Sequence, residues 1–138
     1  MAEFNVISLN CHGFNIGTCR YLRSVAHSAD IILLQETWLC DATSSKLNDA
    51  FGENYIVHHS SAMEDTFANG ISIGRPFGGT AILVRKKLGN HTYRIATDNP
   101  RLTAVRCQLK SDSDIIIGSV YMPFSDNSVR HYLSLIHI

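Results

Sequence analysis

Four consecutive aliphatic residues, Ile31 to Leu34, stop abruptly at Gln35-Glu36. A short unbroken apolar run bounded by polar residues reads as a strand buried on both faces. Such a strand needs a layer on each side, which points to an open α/β sheet. Glu36 falls at or just past the strand's C-terminal end, the edge where ligands collect in such sheets. No Lys or Arg stands beside it in sequence. Two partners suit a carboxylate there: a bound divalent cation, or a surface Lys if the residue is only a solvated loop Glu.

The residues upstream bring a second polar group to the same edge. Phe4–Leu9 is apolar enough for a strand, and it runs into Asn10-Cys11-His12-Gly13, where Gly13 permits a sharp exit. Asn10 fits a ligand role or, alternatively, an Asn that bonds its own turn. A helix is predicted from an N-cap at Thr18 to about Ser28, with Leu22, Val25, Ala26 and Ala29 on one face. Strand, helix and strand make a βαβ unit with parallel strands, so Asn10 and Glu36 share one edge of one sheet.

The rest of the chain continues the pattern. Asp41–Ser45 offers caps for a short helix with Leu47, Ala50 and Phe51 inward, and Tyr55–His58 reads as a strand. Ser60–Gly74 is a long polar excursion. Gly78-Gly79 precedes a strand at Thr80–Val84, and Arg85-Lys86-Lys87 after it reads as a solvated turn. His91–Ala96 and Leu102–Leu109 pair around Asp98-Asn99-Pro100, with Arg106 and Gln108 marking a wet face. Ile115–Met122 reads as another buried strand, stopped by Pro123, which places Tyr121 at a third strand end; a half-buried core tyrosine would occupy the same place. Val129–Tyr132 begins a possible helix.

With 138 residues the chain suits one domain. Twelve Lys plus Arg balance twelve Asp plus Glu, so nothing here looks like a nucleic-acid-binding tail or a polybasic membrane anchor; a local patch can still bind DNA, and only a dominant non-specific electrostatic mode is disfavoured. Cys11, Cys19, Cys40 and Cys107 lack the spacing of a zinc knuckle or disulfide framework. No signal peptide or stretch of transmembrane length stands out, which favours an intracellular setting; Asn90-His91-Thr92 then reads as a chance glycosylation match.

Taken in order, Ser8-Leu9-Asn10-x-x-Gly13, Leu33-Leu34-Gln35-Glu36-Thr37-Trp38 and Val120-Tyr121-Met122-Pro123 resemble the endonuclease/exonuclease/phosphatase superfamily. They look most similar to the apurinic-type endonuclease domain of LINE-like, non-LTR retrotransposon reverse transcriptases. Gly74–Val84 looks like the same family's Gly-Gly strand, and the resemblance runs from Phe4 to about Pro123. It implies a four-layer α/β sandwich of two stacked mixed sheets with helices outside. It implies DNA as substrate, a nuclear location and Mg²⁺ or Mn²⁺ as cofactor. Glu36 and Asn10 would be the metal ligands, and Tyr121 would join them as a catalytic residue aimed at the phosphate or the attacking water. Gln35 would stand behind the ligands. Hard oxygen donors suit Mg²⁺, which keeps several waters and takes few carboxylates.

The sequence also departs from that pattern. The family's later Asp-x-Asn and Ser-Asp-His motifs have no counterpart: Asp126-Asn127 comes too soon, and neither His131 nor His137 follows an Asp. Residues 1–132 therefore read as the N-terminal part of one domain. Leu133–Ile138 matches one frame of a transposase-based sequencing adapter, which makes it an expected artificial C-terminus. In that reading the first sheet lacks its covering partner, and its apolar side chains face water. Three functions fit: a fragment of a DNA-nicking endonuclease, a phosphatase or sphingomyelin hydrolase of the same fold, and an inactive fragment.

Overall fold

The computed structural model describes residues 4–63, 77–110 and 113–122. Two sheets pack face to face. The first contains β1 (Val6–Asn10), β2 (Ile31–Gln35), β3 (Tyr55–Ser60) and β4 (Thr80–Arg85), in the order β1-β2-β4-β3. β1 and β2 are parallel, as a βαβ crossover requires; β4 runs antiparallel to both β2 and β3. The second sheet is antiparallel, with β5 (Thr92–Ile95), β6 (Leu102–Lys110) and β7 (Ser113–Val120) side by side. Helices α1 (Ile16–Ala26) and α2 (Ser45–Phe51) lie outside the first sheet. This is an α/β fold in which a helical layer, a mixed sheet and a second sheet follow one another. The expected outer helices over the second sheet are not among the described residues.

Alternation along β2 builds both interfaces. Ile32 and Leu34 point to the helices and meet Leu22, Leu47, Phe51, Ala81 and Leu83. Ile31 and Leu33 point the other way and meet Ile82, Val84, Val105, Cys107, Ile115 and Ile117. Each fully buried Leu or Ile contributes about 2 kcal/mol by leaving water. The expectation that the first sheet's inner face stands uncovered is thus corrected: β6 and β7 cover it over β2 and β4. Among the described residues the exposed large apolar side chains are scattered: Ile16 and Tyr21 on α1, Val6 on the edge strand β1, Ile56 on β3, and Tyr93 and Ile116 on the outer face of the second sheet.

Several local expectations shift. The cap of α1 is Asn15, whose Oδ1 accepts from the Thr18 N–H at 3.0 Å, so the helix starts two residues before Thr18. The Thr18 hydroxyl instead donates to the carbonyls of Gly13 and Cys11. β7 is not buried throughout, because Ile116 faces away from the inter-sheet core and is half-exposed. The basic triplet is not simply a solvated turn. Arg85 reaches back to the carbonyls of Ala26 and Ala29 at the end of α1, and Lys87 pairs with Asp30 at 2.9 Å. Lys86 is exposed on that turn, which winds as a 3₁₀ helix over Lys86–His91. The greater part of the Ser60–Gly74 excursion, the helix start expected at Val129–Tyr132 and residues 133–138 lie outside the described residues.

Candidate active site

The three strand ends named from sequence gather at one end of the two sheets. Asn10 ends β1 opposite Gln35, so Glu36 is the first residue beyond the β1–β2 ladder. Pairing persists past the strands in backbone form: Cys11 N–H donates to Gln35 O, Gly13 N–H to Glu36 O and Phe14 N–H to Thr37 O, each at 2.8 Å. From the other side, Thr37 N–H donates to Gly79 O at 3.1 Å and Trp38 N–H to Gly78 O at 2.9 Å. Glu36 is therefore clamped between the loop after β1 and the glycines before β4.

The clamp holds an unfavourable backbone. Glu36 (φ 51°), Trp38 (φ 58°) and His12 (φ 47°) all adopt the left-handed conformation. For a residue with a side chain this costs roughly 1–2 kcal/mol, and such strain persists only where the surroundings over-determine it, typically at functional sites. The turn lifts the Glu36 carboxylate to the surface, with the side chain 27% exposed. Its Oε2 lies 3.8 Å from His12 Nδ1, and the His12 ring rests against Trp38. Among the described residues Glu36 makes no ion pair with Lys or Arg.

Asn10 is exposed, and its Oδ1 accepts from His12 N–H at 3.0 Å. The turn role considered for Asn10 is therefore real, and it fixes the loop that carries His12. Tyr121 follows β7, with its N–H donating to Arg101 O at 2.9 Å and the Arg101 guanidinium over its ring. The ring also packs on Gly78; a methyl there would come within 2.9 Å of Tyr121 Cδ1. Tyr121 thus leans on the peptide that holds Trp38, two residues past Glu36.

Gln35 joins the two sheets rather than facing a ligand. Its Nε2 donates to Ser119 Oγ at 2.9 Å, and the Ser119 hydroxyl donates to Leu34 O at 2.7 Å. This buried bridge sets β7, and with it Tyr121, against the end of β2. Sequence reading missed Ser119 and the pair Thr37–His59, whose Oγ1 and Nε2 lie 3.1 Å apart. Burial pushes the His59 imidazole down to about 4, so it is neutral at pH 7. Burial, then the Glu36 charge, pushes the Cys11 thiol up to about 12, so Cys11 stays protonated beside the site.

The donors suit a hard cation. The amide oxygen of Asn10 and the carboxylate of Glu36 are the oxygen types that Mg²⁺ and Mn²⁺ take, with water filling the other positions. No cluster of three or more His, Cys, Asp or Glu able to hold a metal occurs among the described residues, so any protein contribution here is sparse.

The fold has a solved counterpart. A 3′ phosphatase, NExo, from Neisseria, bound to product DNA hairpin, superposes with a TM-score of 0.54 at 14% identity, over 96% of this chain and 48% of the neighbour. The chain thus spans about half the length of that structure's chain, and the likeness establishes the α/β fold. No protein-family model matches the chain, and no curated protein matches it.

Proposed function

We propose that this chain carries the metal-binding side of a phosphodiesterase acting on DNA, of the endonuclease/exonuclease/phosphatase type, and that its setting is a nicking endonuclease of a LINE-like retrotransposon in the nucleus. The observation that carries the reading is Glu36. A carboxylate without a Lys or Arg partner among the described residues is presented on a clamped left-handed turn, beside Asn10 on the first sheet and at the end of the sandwich where Tyr121 leaves the second. The fold likeness to a DNA 3′ phosphatase supports the substrate class.

In this reading Glu36 and Asn10 hold Mg²⁺ or Mn²⁺, which when bound neutralises charge on the phosphate and activates water. Asn10 orients the loop through its bond to His12 N–H. Tyr121, steadied by Gly78 and Arg101, presents its hydroxyl to a phosphate oxygen. The general base that the Asp-x-Asn and Ser-Asp-His motifs would supply has no counterpart in the sequence, so binding is expected to outlast catalysis in the chain as it stands. A second reading, a phosphatase of the same fold, is favoured by the activity of the structural neighbour.

The test compares the wild-type chain with Glu36→Ala in calorimetric Mn²⁺ titration, plasmid nicking and DNA binding. Loss of Mn²⁺ binding and of any nicking, with DNA affinity kept, is expected. Unchanged Mn²⁺ binding, or equal loss of DNA affinity, would remove Glu36 from the metal role. Terminal phosphate release without nicking would favour the phosphatase.

A further inference from the structure

Thr37 lies between two left-handed residues, Glu36 and Trp38, and is fully buried. Its backbone is tied on both sides, to Gly79 and to Phe14. Its hydroxyl accepts from Leu39 N–H at 3.3 Å and bonds His59 Nε2 at 3.1 Å. Gly79, at φ 87°, makes room for that hydroxyl, since any Cβ there would strike Thr37 Oγ1. His59 is anchored in turn, because its carbonyl accepts from Arg94 Nη2 of β5 at 3.0 Å. Its other ring nitrogen, Nδ1, is buried with no hydrogen-bond partner among the described residues. A polar atom left in that condition costs free energy, and it calls for a reason.

We propose that His59, acting through the Thr37 hydroxyl, is a positioning residue that holds the strained turn carrying Glu36 in its ligand geometry. This deepens, and rests on, the reading of Glu36 as a metal carboxylate. The turn stores strain in two residues, and the long bond from Leu39 N–H holds the Thr37 hydroxyl only within the turn itself. The shorter bond to His59 adds a second hold on that rotamer and ties the turn to β3 and, through Arg94, to the second sheet. Groups that orient a metal ligand from behind are typically worth ten- to a hundredfold in metal affinity.

The test uses the whole chain and two readouts besides activity: Mn²⁺ affinity by calorimetry, and metal-free emission of Trp38, the sole tryptophan. Thr37→Val and His59→Leu are each expected to weaken Mn²⁺ about tenfold or more and to shift the Trp38 emission. The double variant should lose little beyond the worse single one, because both remove the same bond. Thr37→Ser, which keeps the hydroxyl, should retain both signals. His59→Gln, which keeps a hydrogen-bonding group at similar reach, serves if His59→Leu fails to fold. A lowered Tm with Mn²⁺ affinity unchanged within about twofold and emission unmoved would overturn the proposal, leaving His59 a packing residue. Glu36→Gln separates the two readings. If it binds Mn²⁺ like wild type, the metal assignment fails, and the emission of Thr37→Val against Thr37→Ser decides whether His59 holds the turn.

Discussion

Arg85→Ala tests whether the basic triplet after β4 is internal architecture or surface charge. The Arg85 guanidinium donates to Ala26 O at 2.9 Å, to Ala29 O at 2.8 Å and to the Tyr55 hydroxyl at 3.0 Å, with its plane over the Tyr55 ring. The two carbonyls belong to the end of α1 and the turn after it, where helix termini leave acceptors without intrahelical partners. The Tyr55 hydroxyl donates to the same two carbonyls, so truncation does not strip them bare. All three acceptors are met by Nη2, which has two hydrogens to share, so about two charge-assisted bonds at about 1.5 kcal/mol net each, less the side-chain entropy regained, give an expected loss of about 2 kcal/mol. Lys86, one residue on and exposed, provides the control: Lys86→Ala should stay within about 0.5 kcal/mol of wild type. Arg85→Lys should recover only part of the loss, because an ammonium cannot reproduce the planar fork. Urea unfolding at pH 7, followed by circular dichroism, reads all three. Equal effects of Arg85→Ala and Lys86→Ala would refute the reasoning and return the triplet to the solvated turn that its composition suggests.

Two further predictions concern the site end. His59 has a folded value near 4 against 6.5 unfolded, so between those values the folded chain refuses a proton that the unfolded chain takes. Its contribution is complete above pH 6.5 and is lost as pH falls towards 4, roughly 2–3 kcal/mol in all. The difference between wild type and His59→Gln, measured by urea unfolding at pH 7 and pH 4, should shrink by that amount; a pH-independent difference would contradict a buried neutral imidazole. Gly78→Ala forces a methyl within 2.6 Å of Ala62 Cβ and 2.9 Å of Tyr121 Cδ1, at a left-handed φ of 62°. A loss of about 2–5 kcal/mol and displacement of Tyr121 are expected, read from denaturant midpoint and tyrosine chemical shifts.

Much of this architecture is legible in one dimension. Ile31–Leu34, with no polar break, reads as a strand covered on both faces, and it is one. The βαβ order required parallel strands, and that alone brought Asn10 and Glu36 to one edge. These inferences succeed because periodicity and chain connection are local or nearly local properties, and burial enforces them at about 2 kcal/mol per large aliphatic residue.

Other features depend on residues far apart in sequence that meet only when the sheets stack. No pattern around Gln35 announces Ser119, and nothing near His59 announces Thr37; each pair is joined by packing of strands across the inter-sheet space or through β4. The triplet at Arg85 reads as surface charge until α1 ends beside it. The left-handed turn at Glu36 is hidden for the same reason: its cost is local, while the bonds that sustain it come from Gly13 and from Gly78-Gly79. The amino-acid sequence by itself determined the strand order in the βαβ unit, the two-sided burial of β2 and the polar residues at its edge, because these follow from side-chain alternation and chain geometry. The tertiary structure alone decided which groups clamp Glu36 and how β6 and β7 cover the first sheet, because long-range hydrogen bonds and sheet packing have no sequence neighbour to reveal them.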